Sequence, residues 1–497
     1  MRGARVSGLM LGLAAAALLL VGTPGIPGEP LVRVGRAVTP ACEGPAGWVA
    51  TWASATVPLP HTTPHWDGFN DQTLRQVVHT SVGGTGVRVT INGPVSGPGL
   101  RVGRAGVAVA ARPSGTGAAV RPGSLRPLTF DGAAGVTVRP GERVTSDPVE
   151  LAVPDDHDLA VSLHFAGPTG PATGRMFSGQ TSWVGPGDLV DVEDGTGFTE
   201  STRSYPSAAS YFLASVDVRA AGVGGVVVLG DSVSDGYAFV WPPDAETVAA
   251  DRLYDRLAVR GTIWDPEVVG APDRERRSAC LAVANVAIAG NALLPFFDGP
   301  VEGTGLERLQ RDVLDQAGVR VVVVFLGIND LVAGRRTADE VAEALAQVID
   351  RAHAAGVAVV GVTLPPLGDA HTAPDPEVEV HRQALNDRIR PGRPDSLPYD
   401  AVVDADAALR QATAPSLIDP AYAGCAFGRC GRWHPGPAGH AAVADAFDLD
   451  ELVALAHRPP ADRPLADRAP AAATAASDTS AASDTSAAPA VPAGGSE

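Results

Sequence analysis

The chain contains no lysine. All 38 of its basic residues are arginine, set against 56 acidic ones, for a formal net charge of −18. A surface that acidic repels phosphate backbones and anionic headgroups, which argues against nucleic acid or an anionic membrane surface as the main partner. Neutral polymers and small uncharged esters remain open. Cysteine is scarce, with Cys42, Cys280, Cys425 and Cys430 the full set, and a zinc site is the weaker reading because no second Cys/His cluster has matching ligand spacing. His61 and His65 are four apart but sit among Pro58, Pro60 and Pro64, where no helix can bring them onto one face. No metal and no cofactor are therefore expected. Long apolar runs are scarce as well. The run Leu9–Val21 falls short of the roughly 20 residues needed to span a bilayer.

That run does fit an export signal over residues 1–30, since Arg2 and Arg5 precede it and Thr23-Pro24-Gly25 breaks it. The cleavage site is not a clean Ala-x-Ala, so an uncleaved anchor is the alternative. The absence of a cysteine closing the run argues against a lipoprotein. In an exported protein an even number of cysteines points to disulfides, and four cysteines allow three pairings. The close spacing of Cys425 and Cys430 favours a local bridge, leaving Cys42 with Cys280. A secreted, extracellular protein is expected, with no stable membrane insertion once the signal is removed.

A chain of 497 residues exceeds one ordinary core, and its composition changes along its length. Residues 31–47 form a Pro/Gly-rich linker. Residues 48–222 read as an all-β, sandwich-like domain. Val87–Asn92 and Leu159–Phe165 alternate apolar with polar, and turn signals such as Asn92-Gly93-Pro94 and Arg139-Pro140-Gly141 punctuate the runs. Trp48, Trp52 and Trp66 fit buried core aromatics better than a sugar-stacking platform. The domain's role is open between binding carbohydrate, covering the next domain's site and stabilising it. Residues 459–497 are rich in Ala, Ser, Thr and Pro, with Ser477–Ser480 repeated at Ser483–Ser486, and hold too little apolar surface to order. This tail could associate with a cell wall or merely solvate.

Between them, residues 223–458 alternate strands and helices, the pattern of a parallel sheet covered on both faces. Strands are expected at Val226–Leu229, Val283–Ala287, Val321–Phe325, Val357–Leu364 and Ala401–Val403. Helices are expected near Asp244–Val259, through Leu306, Leu309, Val313, Leu314 and Ala317, from the Thr337-x-x-Glu340 capping box to Gly356, and around His440.

Three of these strands end in a polar or glycine-containing turn: Ser232, then Gly290-Asn291, then Asn329. In a parallel sheet all three turns share the carboxyl edge, where ligands bind. An isolated Gly-Asp-Ser more often just caps a helix. Here His434 follows near the domain's end, in Trp433-His434-Pro435-Gly436. Ester hydrolysis by a serine needs a hydroxyl, a base and oxyanion donors. Ser232 would attack and His434 would act as base and then acid. The N–H groups of Ser232 and Gly290, with the Asn329 amide, would hold the oxyanion.

These blocks resemble the SGNH (GDSL) hydrolase family: Gly230-Asp231-Ser232 with Asp235-Gly236, Ala287-Ile288-Ala289-Gly290-Asn291, Gly327-Ile328-Asn329-Asp330 and His434-Pro435. The β-rich stretch, with Trp48–Trp52, Thr73–Gln76 and Ser146-Asp147-Pro148, is similar to the leading module of the secreted two-domain, acetylxylan-esterase-like branch. The resemblance implies a flavodoxin-like three-layer α/β/α hydrolase domain and metal-free serine ester hydrolysis. Its implied substrates run from acetylated sugars to acyl lipids. The Gly-x-Ser-x-Gly elbow of α/β-hydrolases is absent around Ser232.

One position departs from the family pattern. An aspartate usually stands three residues before the histidine, and here that residue is Gly431. A Ser232–His434 dyad is one consequence, and a displaced acid from Asp404, Asp406 or Asp419 is the other. The leading expectation is a secreted esterase removing acetyl or short acyl groups from a carbohydrate. A lipase or broad carboxylesterase is the alternative within the same chemistry. A carbohydrate-binding protein with an inactive hydrolase domain is the alternative from another class.

Overall fold

The computed structural model describes residues 42–94, 96–111, 117–201, 209–235, 280–295, 303–369, 373–426 and 429–458. The side chains of residues 425–433 are not among them. The expected signal segment, the tail and the helix near Asp244–Val259 lie outside the described residues.

The strand Gly224–Gly230 is buried at every position. A run of valines without polar alternation can be satisfied only when both sheet faces are covered. Val226, Val227 and Leu229 are each at most 1% exposed. Burying an aliphatic side chain of this size stabilises by about 1.5–3 kcal/mol. This strand pairs in parallel with Leu281–Asn285 on one side and with Val319–Phe325 on the other. Ala358–Val362 and Ala401–Val403 then extend the sheet, again in parallel. In chain order the strands lie 2-1-3-4-5, the flavodoxin-like arrangement. Helix Ala338–Ala354 opens on the capping box of Thr337 and Glu340 and buries Val341, Leu345, Val348 and Ile349. It stops where Gly356 turns at φ +70°.

The β-rich region preceding this sheet is antiparallel. One sheet runs Ala46–Ala53, Leu213–Ala221, Gly84–Asn92, Arg143–Thr145, with Val149–Val153 also on Gly84–Asn92. A second sheet of seven strands is built around Gln72–Thr80, His157–Phe165 and Leu100–Val109. Trp52 and Trp66 pack against the hydrophobic core, and Trp48 lies under the Arg88 guanidinium. A small third sheet joins Val57–Pro58, Thr173–Arg175 and Ser210–Tyr211.

All described residues belong to one compact unit. Several bonds join the β-rich region to the α/β region. Ala50 N–H donates to the Ala317 carbonyl (2.9 Å), and Val283 N–H donates to Ser81 Oγ (3.0 Å). Arg143 forms an ion pair with the fully buried Asp312 (2.6 Å). A disulfide links Cys42 to Cys280, just ahead of the strand Leu281–Asn285.

The strand expected at Val283–Ala287 runs Leu281–Asn285, helix Pro376–Ile389 was not expected, and two further local features differ from the sequence expectation. The helix through Leu306 and Leu309 is α-helical only over Gly305–Leu309 and widens into a π-turn over Gln310–Leu314. The extra residue turns Asp312 inward, where Arg308 and Arg143 neutralise it. His434 lies on a two-stranded hairpin, Ala423–Ala426 with Arg429–Pro435, which the polar, non-alternating sequence does not announce. That hairpin sets the backbones of Cys425 and Cys430 directly opposite each other. Their side chains lie outside the described residues.

Candidate active site

Ser232 begins a single helical turn, Ser232–Asp235, immediately after the central strand. The turn is closed by the N–H groups of Ser234 and Asp235, which donate to the Asp231 carbonyl. The Asp231 carboxylate accepts from Val233 N–H at 2.9 Å. Gly230 is required by packing rather than by backbone conformation. A Cβ there would collide with the side chain of Ser234. The serine is thus held at the carboxyl edge, partly exposed, with its neighbours buried.

His434 comes from the far end of the chain. The hairpin ends at Pro435 and helix Pro437–Asp445 begins at once. Gly436 N–H donates to the Tyr422 carbonyl at 2.8 Å, which ties this corner down. His434 Nε2 lies 2.9 Å from Ser232 Oγ. Burial holds the imidazole well below its usual value, at about 4. It is therefore neutral at physiological pH and can accept a proton.

Gly290 and Asn329, the other two expected site residues, lie at the next two strand ends. Gly290 turns at φ +81°, a conformation that favours glycine, and a Cβ there would point into open space. Among the described residues, no turn or loop hydrogen bond uses the N–H of Ser232 or of Gly290. Asn329 is the second residue of the short helix Ile328–Val332, which follows Gly327 at φ +125°. Its Nδ2 donates to the Asn291 carbonyl at 2.9 Å, which leaves the amide's second N–H for another acceptor.

The aspartates Asp404, Asp406 and Asp419 are engaged elsewhere. Asp404 accepts from Arg390 and Thr363, and Asp406 from Arg382, Arg390 and Arg410. Asp419 accepts from Ala421 N–H at 2.9 Å. None of these contacts includes His434.

Three residues hold the site together that the motif reading passed over. Asp330 takes the N–H groups of Leu293 and Leu294, both at 2.9 Å, and so anchors the loop that carries Gly290 and Asn291. Arg308, fully buried, donates to Asn291 Oδ1 and to the carbonyls of Val286 and Gly230. Burial lowers its pKa to about 10. Arg175, from the β-rich region, pairs with Asp235 at 2.6 Å. Burial pushes Asp231 up to about 7, with Asp330 and Asp235 acting in the same direction. The signal for Asp330 was its place beside Asn329. The two arginines lie in no motif, and only the fold brings them in. Among the described residues, no group of three or more His, Cys, Asp or Glu is placed to hold a metal.

Residues 226–447 match the family described as GDSL-like Lipase/Acylhydrolase. The chain carries a GDSL-like acylhydrolase domain. Its enzyme class is ester hydrolysis of the SGNH type. Ser232, Gly290, Asn329 and His434 all fall inside the matched GDSL segment. A comparison with curated proteins gives no match. Solved structures similar to this chain include Est24, a carbohydrate acetylesterase from Sinorhizobium meliloti, at 16% identity and TM-score 0.30, over 47% of this chain and 99% of that one. The aryl esterase of M. smegmatis is similar at 15% identity and TM-score 0.31, over 47% of this chain and 100% of that one. A family two carbohydrate esterase from Clostridium thermocellum, in complex with cellohexaose, is similar over 82% of this chain and 97% of that one, at 13% identity and TM-score 0.28.

Proposed function

We propose that the protein is an exported serine esterase that removes acetyl or other short acyl groups from a carbohydrate, using a Ser232–His434 dyad. The observation that carries this reading is the 2.9 Å contact between His434 Nε2 and Ser232 Oγ at the carboxyl edge of the parallel sheet. Ser232 Oγ attacks the ester carbonyl while His434 Nε2 takes its proton. The carbonyl oxygen gains the negative charge and is held by Ser232 N–H, Gly290 N–H and Asn329 Nδ2. Collapse breaks the bond to the alcohol oxygen, which receives the proton from His434, leaving an acyl-serine. Water then attacks, its proton passes to His434 and on to Ser232, and the carboxylic acid departs.

With glycine at position 431, a backbone carbonyl in the segment 431–433 takes the usual aspartate's place in orienting the imidazole. A carbonyl dipole stabilises the imidazolium less than a carboxylate does. The carbohydrate reading rests on the net charge of −18, which disfavours anionic surfaces, and on the resemblance of the β-rich motifs to the two-domain esterase branch. Export is supported by the signal-like residues 1–30 and by the Cys42–Cys280 bridge, a bond of oxidising compartments. Among the described residues no helix is long and apolar enough to cross a membrane.

A substrate panel tests the proposal. Acetylated xylan and other acetylated glycans should be deacetylated faster than long-chain acyl esters. Preference for long acyl chains would instead favour a lipase. Absence of turnover on every ester, with intact binding to glycans, would favour the inactive carbohydrate-binding reading.

A further inference from the structure

The structure assigns Arg175 as a positioning residue for ester hydrolysis, through which the β-rich region sets the geometry of the nucleophile and of the Gly290 loop. This inference rests on the proposed Ser232–His434 reading. Arg175 ends the three-residue strand Thr173–Arg175, which is held on both sides by Val57–Pro58 and Ser210–Tyr211. The guanidinium leaves that small sheet and enters the α/β region, where it is 8% exposed. Its Nε donates to Asp235 Oδ1 at 2.6 Å, one terminal nitrogen to the Asp235 carbonyl and the other to the Asn285 carbonyl, both at 3.2 Å.

Those acceptors are the two segments whose spacing the reaction depends on. Asp235 closes the single turn that begins with Ser232. Its second carboxylate oxygen accepts from Ala289 N–H at 3.0 Å, one residue before Gly290. Asn285 ends the neighbouring strand, donates its side-chain amide to the Ser234 carbonyl and accepts from Ala287 N–H. A continuous chain of polar contacts therefore runs from Arg175 through Asp235 to Ala289, with Asn285 cross-bracing it. Arg308 grips the same two segments from the opposite region, through Gly230, Val286 and Asn291. The nucleophile and the Gly290 donor are thus clamped between two buried arginines, one from each part of the molecule.

A guanidinium suits this task because its rigid planar fork spreads its donors over three nitrogens and so reaches two separate segments, a geometry that the three donors on the single nitrogen of an ammonium do not reproduce. Asp235 is also nearly fully buried. Without Arg175 it becomes a buried carboxylate with no cation on that side, and the turn and the Gly290 loop lose their common anchor. Displacements of about 1 Å at such a distance from the chemistry can cost roughly 10²-fold in rate.

The test uses the full exported chain and a chromogenic acetate ester, with active sites counted by fluorophosphonate. Wild type against Ser232→Ala first establishes whether Ser232 is the nucleophile, so failure of the underlying reading is recognised separately. Arg175→Ala should then lower kcat per titrated site about 10²-fold, with KM changed less than about threefold. Arg175→Lys should recover only part of the loss. Asp235→Asn, which preserves volume, should show a similar kcat defect, and adding it to Arg175→Ala should cost little more. A merely structural arginine would lower the number of titratable sites and the melting temperature while kcat per site stayed at the wild-type value. That outcome, or full additivity of the Arg175 and Asp235 substitutions, overturns the inference.

Discussion

His434 Nε2 meets Ser232 Oγ at 2.9 Å although 202 residues separate them in the chain. Neither residue is in a position to act until the hairpin carrying His434 folds back over the carboxyl edge of the central strand. The strand supplies a rigid origin for Ser232, and the Gly436–Tyr422 bond fixes the corner beside His434.

The acidic limb of the activity profile should reflect the buried imidazole. Only neutral His434 can take the proton from Ser232, so kcat/KM should fall as the pH drops through the folded-state pKa. Burial places that value at about 4, below the ordinary 6.5. Stability has the same sign. The unfolded chain takes up this proton near 6.5, so the contribution is present above that pH and is lost as the pH falls towards the folded value. A pH profile of kcat/KM checks this. An acidic midpoint at or above 6.5 would contradict it.

Replacing Asn329 with alanine should lower kcat about 10²–10³-fold, the usual cost of one oxyanion donor. Steady-state kinetics on a small acetate ester decide the matter. A rise in KM with kcat unchanged would remove Asn329 from that role.

Alanine substitutions at Asp404, Asp406 and Asp419 separate a dyad from a displaced triad. The dyad predicts that each variant keeps most of its activity per titrated site. Asp406→Ala should nevertheless be less stable by about 1.5–3 kcal/mol, because it removes one of the two carboxylates that pair with the buried Arg382, Glu379 being the other. A loss of about 10⁴-fold in any one of the three would identify that residue as the missing third member.

The Cys42–Cys280 bridge closes a sequence separation of 238 residues. Long loops lose the most chain entropy when cross-linked, and the chain-entropy relation puts the cost of reduction at about 5 kcal/mol for this length. Denaturant midpoints with and without reductant measure it, and equal midpoints would contradict the expectation.

The sequence made the scaffold of the site readable because its signals are local. Val226–Leu229 is an unbroken apolar run, Thr337-x-x-Glu340 caps its own helix, and the polar turns at Ser232, Gly290 and Asn329 follow recognisable strands. Helix Pro376–Ile389 was not legible, although Asp375 caps it and Pro376 starts it. Its buried face mixes Val378, Leu385 and Ile389 with Glu379, Arg382 and Asn386, so no apolar stripe marks it. Arg175 and Arg308 were hidden for a different reason. Their partners lie on other strands and loops, and nothing in their own neighbourhoods signals a charge that will be buried.

The central claim is that Ser232 is the nucleophile, and mass mapping of the adduct left by a fluorophosphonate tests it most directly. The full chain should lose esterase activity in step with the gain of one phosphonyl group on the peptide containing Ser232. Ser232→Ala should gain none, and His434→Ala should react far more slowly. An adduct on another residue, or turnover that survives in Ser232→Ala, would contradict the account.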